Sequence, residues 1–72
     1  MTLKELCRII RPAQKIRLKK SMNDTGIICL RYEILDQSGL VDPLVDSSLL
    51  DREVLVMHSD GQNENTILIR VR

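Results

Sequence analysis

No apolar run in this sequence is longer than four residues, and only Ile27–Leu30 and Val54–Met57 reach that length. Such a chain is confined to short strands and short amphipathic helices, because a helix crossing a bilayer needs roughly 20 apolar residues in a row. The 72 residues make one expected domain, 1–72, near the lower size limit for a fold without staples. At this length about 60% of the unfolded chain's surface is buried on folding. The core material is almost wholly aliphatic: Leu, Ile and Val fill 24 of 72 positions, and Tyr32 is the only aromatic residue. Branched aliphatics suit a half-buried sheet. The shortage of rings leaves room for a second copy to complete the core.

Periodicity places the elements. Thr2 and Glu5 have capping-box spacing, and Leu3, Leu6, Cys7 and Ile10 fall at i, i+3, i+4 and i+7, the apolar stripe of a short helix. Pro12 ends it, since its ring lacks a donor and restricts Arg11. Lys15-Ile16-Arg17-Leu18-Lys19 alternates with period 2, so Ile16 and Leu18 face a core and the bases face water. Ser21 to Gly26 is turn chemistry. Ile27 to Leu35 reads as a longer strand antiparallel to the first, its first four residues apolar on both faces and so expected to be buried on two sides. Asp36-Gln37-Ser38-Gly39 is a turn, Pro43 argues against a central strand, and Ser47 or Ser48 caps a helical turn over Leu49 to Arg52. Val54 to His58 is a strand. Asp60-Gly61 is the strongest hairpin cue in the chain, and Thr66 to Arg72 closes it with Ile67, Ile69 and Val71 on one face.

The expected architecture is therefore α+β: a short N-terminal helix packed on a four-stranded, mainly antiparallel sheet, made of two β-hairpins joined by an irregular connection. The expected core is Leu3, Leu6, Ile10, Ile16, Leu18, Ile28, Leu30, Val54, Val56, Ile67, Ile69 and Val71. If the last strand lies at an edge, it can pair with the same strand of a second copy; if it is central, that route to a homo-oligomer is closed.

Leu3-Lys4-Glu5-Leu6 in the helix and Leu49-Leu50-Asp51-Arg52-Glu53-Val54 before the third strand, with the strand Lys15 to Lys19 between them, resemble small uncharacterised proteins of phages and prophages of Firmicutes-type bacteria. Those proteins place an LKELL helix before a short strand and an LLDREV segment before a C-terminal hairpin. The resemblance spans nearly the whole chain and implies a small α+β domain in a phage or mobile-element setting; it brings no activity and no functional residues. The helix-then-strands order with a basic first strand is also similar to Sm-like RNA-binding domains, whose fifth strand and RNA-pore motifs this sequence lacks.

Charge divides the chain. Residues 1–20 carry seven bases against Glu5, and residues 21–72 carry four against nine acids, so the halves are +6 and −5 and sum to the +1 of the whole. Catalytic chemistry finds no constellation here. His58 is the only histidine and reads as a strand-end residue; the cysteines and His58 are scattered singly, without metal-ligand spacing; the glycines stand alone at turns. No catalytic residue, metal or cofactor is expected. Cys7 and Cys29 read as small buried hydrophobes, and with no signal peptide preceding them they point to the reducing cytoplasm.

The expected role is a non-catalytic accessory or interaction protein whose partner is another protein or itself, with no membrane. The alternative is a backbone-level RNA or DNA binder. Lys15, Arg17 and Lys19 would lie about 7 Å apart on one strand face, extended by Arg8, Arg11 and Lys20, a stripe suited to phosphates. The competing reading of the same bases is an edge strand whose lysines block aggregation. One aromatic is too few for a base-stacking platform.

Overall fold

A computed structural model describes residues 1–72. The chain runs α1 (Leu3–Ile9), β1 (Lys15–Lys19), β2 (Ile27–Leu30), a 3-10 turn (Arg31–Glu33), α2 (Ser47–Leu50), β3 (Val54–Ser59) and β4 (Thr66–Val71). It is an α+β fold, with one four-stranded sheet in the order β2-β1-β4-β3. Both expected hairpins are present: β1 pairs β2 and β3 pairs β4, each antiparallel. They are joined side by side by β1 running parallel to β4, so two of the three pairings are antiparallel. No helix is long and apolar enough to cross a membrane.

The helix starts where its capping box directs. Thr2 Oγ1 accepts the Glu5 N–H at 3.2 Å, and the Glu5 carboxylate accepts the Thr2 N–H at 3.1 Å. The apolar stripe then lays Leu3, Leu6 and Cys7 on one face of the sheet, against Ile16 and Leu18 of β1 and Ile69 and Val71 of β4. Ile34, Leu35 and Leu50 complete this core. Leu50 arrives on α2, whose cap is Asp46 rather than either expected serine; its Oδ1 accepts the Ser48 N–H at 3.0 Å. The Asp36–Gly39 turn forms as expected, with Gly39 at φ 86° and the Asp36 carboxylate accepting the N–H groups of Ser38 and Leu40.

Four expectations are corrected by the sheet. The strand read over Ile27 to Leu35 stops at Leu30: Arg31 makes the last bond in register, its N–H to Gln14 O, and the chain then turns into the 3-10 segment. Ile27 and Ile28 are 65% and 53% exposed rather than buried on two sides, since β2 is an edge strand. Of the expected core, Ile28 is therefore outside; Ile10, Leu30, Val54, Val56 and Ile67 are half-buried. Finally, β4 lies between β1 and β3, so both of its edges are used and it cannot add a second copy's strand. β1 is likewise central, flanked by β2 and β4.

Candidate docking edge and basic sheet face

Only one face of the sheet is covered. Register partners share a face, so Ile16, Leu18, Ile69 and Val71 with Cys29 look toward α1, while the opposite face carries two rows with no element above them. One row is Ile28, Arg17, Leu68 and His58 across β2-β1-β4-β3; the next is Lys19, Arg70 and Val56. Gly26 flanks the second row on the β2 side: a Cβ there would meet Lys19 Cγ at 2.9 Å and Arg17 Cγ at 3.0 Å, and its φ is 86°. The turn closes tightly over the basic side chains because this position has no side chain of its own.

The six expected nucleic-acid residues do not form one stripe. Lys15, Arg17 and Lys19 share the uncovered face through the strand's alternation, while Lys20, past the strand's end, turns the other way, its charge acting on Asp46 at the cap of α2. Arg8 stands exposed on α1, in the other layer, and Arg11 follows the helix in the corner before β1. Arg17 is already engaged. Its Nε donates to Thr25 O at 2.7 Å, its Nη1 donates to Gln62 Oε1 at 3.1 Å, and Nη1 lies 3.5 Å from Asp60 Oδ2. It thereby ties the turn of one hairpin to the loop of the other, and joins the basic and acidic halves of the sequence. Asp60 is held by three groups: the amide of Asn63 donates to it at 2.7 Å, the Gln62 N–H at 3.1 Å, and Arg17 supplies the charge. Together they keep its carboxyl below the ordinary value of 3.8.

Arg70 and Leu68 are the residues of this face that sequence reading passed over. Their signal was the polar Arg70 in an otherwise aliphatic strand, Ile67 to Val71. Lys19 and Arg70 are direct register partners on the two central strands. The molecule has two ion pairs, Arg17–Asp60 and Arg72–Glu53, and neither includes them. Lys19, Arg70 and His58 with Met22, Val56 and Leu68 wall a shallow depression. His58 Nδ1 lies 2.8 Å from Ser59 O, a carbonyl that can only accept, so that nitrogen carries a hydrogen.

The two sheet edges differ. On the β3 side, Val54 N–H donates to Met1 O at 2.8 Å and Leu3 N–H to Arg52 O at 3.0 Å. The register also shifts between Val54 and Val56, so this edge is partly paired and bulged. On the β2 side nothing is paired. The Arg31 N–H bond to Gln14 O sets the phase: alternate residues bond inward in an antiparallel ladder, so the backbone N–H groups of Ile28 and Leu30 point outward.

The thiols are at rest. Burial pushes Cys7 up to about 11, only partly offset by the Arg31 charge, and burial does the same to Cys29, helped by Glu33. Both cysteines are free. No three His, Cys, Asp or Glu side chains converge on a point that would hold a metal ion. The widest cleft, at the loop end, is polar and open, lined among others by Arg11, Lys15, Asp60 and Glu64. Compared with models of protein families, with curated proteins and with solved structures, the chain matches none.

Proposed function

We propose that the chain is a non-catalytic interaction protein that takes its partner by strand addition along β2. The observation that carries this reading is the state of that edge: outward N–H groups at Ile28 and Leu30, flanked by exposed Ile27 and Ile28. Edge strands are ordinarily protected by a lysine, a proline, a bulge or a covering segment. From Thr25 to Leu30 this one carries no charge and no proline. The other edge of the same sheet has both a bulge and a covering segment, so the contrast lies within one molecule. Main-chain bonding would supply affinity and the two isoleucines would supply contact area. The simplest strand to add is β2 of a second copy, running antiparallel about a two-fold axis. In the phage or mobile-element setting that the resemblance implies, the protein would act as a small accessory subunit in the cytoplasm, where its thiols stay reduced.

The test is a dilution series followed by amide NMR and light scattering. The expected result is that signals of residues 26–30 move with concentration while the mass rises toward two chains. Ile28→Pro deletes an N–H that β1 does not use, a substitution edge strands accept. It should abolish the association and leave the far-ultraviolet circular dichroism unchanged. A mass of one chain at every concentration, with residues 26–30 fixed, would overturn self-pairing; a mass that still doubles in I28P would place the interface elsewhere.

A further inference from the structure

Lys19 and Arg70 sit opposite one another on the two central strands of the sheet, on the face that nothing covers. Like charges directly across a strand pair are destabilising, and no carboxylate lines the depression they share. Nor does either take part in an ion pair. The Lys19 ammonium reaches only the Met22 carbonyl, at 3.4 Å. The Nε of Arg70 is shielded from solvent and has no hydrogen-bond partner at all. Protection of a sheet edge does not account for the lysines of β1, because β1 is interior. An anion seated over the pair would answer the repulsion between the two charges.

We infer that this face holds the sugar–phosphate backbone of a single-stranded nucleic acid, with one phosphate gripped between Lys19 and Arg70. A chain of anions fits better than a lone one because the cations continue in a line. Lys15, Arg17 and Lys19 recur every second residue of β1, about 7 Å apart. Arg17 is largely spent on Asp60, Gln62 and Thr25, so the free contacts are Lys19 with Arg70, then Lys15. Between and beside them lie Leu68, Val56 and Ile28, which offer apolar contact to sugars. Tyr32, the one aromatic residue, belongs to the 3-10 turn and not to these rows. The face therefore lacks a stacking platform, and the strand is held by its backbone without a base preference.

Fluorescence anisotropy with a labelled oligo(dT) and an oligo(U) of the same length, over a salt series, tests this. Each phosphate neutralised on a single strand contributes about −0.7 to the slope of log K against log salt. With two phosphates held, one between Lys19 and Arg70 and one by Lys15, the slope should be about −1.4. K19Q and R70Q should each weaken binding, and replacing both should flatten that slope by about 0.7, since they share one phosphate. R8Q, in the helical layer, should change neither. Because each of the first two variants removes a like-charge neighbour, their melting temperatures should equal or exceed that of the parent, which separates lost contact from lost fold. Polyaspartate of matched charge should compete poorly. Absence of binding at low salt, an unchanged slope when Lys19 and Arg70 are both replaced, or displacement by polyaspartate as effective as by unlabelled oligonucleotide would each overturn the inference.

Discussion

At the scale of single residues, Arg31 contributes most to the shape of the chain. It is buried, 6% exposed, without a carboxylate partner. Its Nε donates to Ile10 O at 3.1 Å, and its Nη1 donates to Leu35 O and Asp36 O, both at 3.2 Å. One guanidinium thus satisfies the Ile10 carbonyl at the end of α1 and the Leu35 carbonyl at the exit of the 3-10 turn, and adds a second donor to Asp36 O, which also accepts the Gly39 N–H. Arg31→Met should therefore cost about 2–3 kcal/mol, the penalty of stranding such acceptors. It would show as a lower urea midpoint with an unchanged m-value. Lys has no planar fork and should recover little of it; full recovery in R31K would mean that charge alone matters. The turn itself was not legible, since Leu30, Tyr32 and Ile34 alternate with Arg31 and Glu33 in the period-2 pattern of a strand. Nor were the three carbonyls, because their convergence depends on where α1 ends in space.

At the scale of elements, α2 is four residues long, far too short to form alone. It exists because Asp46 caps it and Leu50, 2% exposed, enters the core. Leu50→Ala should cost about 3 kcal/mol through lost burial and the cavity left behind. For a domain of this size that corresponds to a melting temperature lowered by roughly 12–24 °C, read by thermal circular dichroism. Leu49→Ala, at a half-buried neighbour, should cost clearly less, and equal losses would mean that α2 is not anchored through Leu50. β2 is the converse case, a strand whose sequence is as apolar as a core strand but whose position leaves it outside. The same Ile-Ile pattern suits a strand buried on both faces or one at an exposed edge, and only the strand order separates the two.

At the scale of the whole molecule, the irregular half of the chain is organised by carboxylates that accept backbone and side-chain N–H and O–H groups. Asp36 is held low chiefly by the Ser38 hydroxyl, Asp46 by the Ser48 N–H, Asp24 by the Gly26 N–H, Asp60 by the Asn63 amide and Glu5 by the Thr2 N–H. In every case the folded form favours the ionised group, so the unfolded chain binds protons more readily. This stability is fully present above the ordinary values of 3.8 for Asp and 4.5 for Glu, and it is lost as pH falls through the lower folded values. The melting temperature should be level above about pH 5 and decline below about pH 4. D36N and D60N should each make that decline shallower, whereas a melting temperature constant down to pH 3 would show that these caps add nothing.

The sequence by itself determined what depends on neighbours within a few residues. The capping box and apolar stripe specify α1, alternation specifies β1, and turn residues specify both hairpins, because capping, pleat and turn geometry are short-range effects. The location of Lys15, Arg17 and Lys19 on one face followed for the same reason. Only the tertiary structure decided which strands are interior. The parallel pairing of β1 with β4 joins segments some fifty residues apart, and a strand exposed on one face alternates in the same way whether it lies inside a sheet or at its rim. That pairing closed β4 to a second copy, left β2 open, set Arg70 beside Lys19 and drew Asp60 to Arg17. Local pattern chooses the elements; burial of one shared apolar face chooses their order, and the order places the open edge and the basic face.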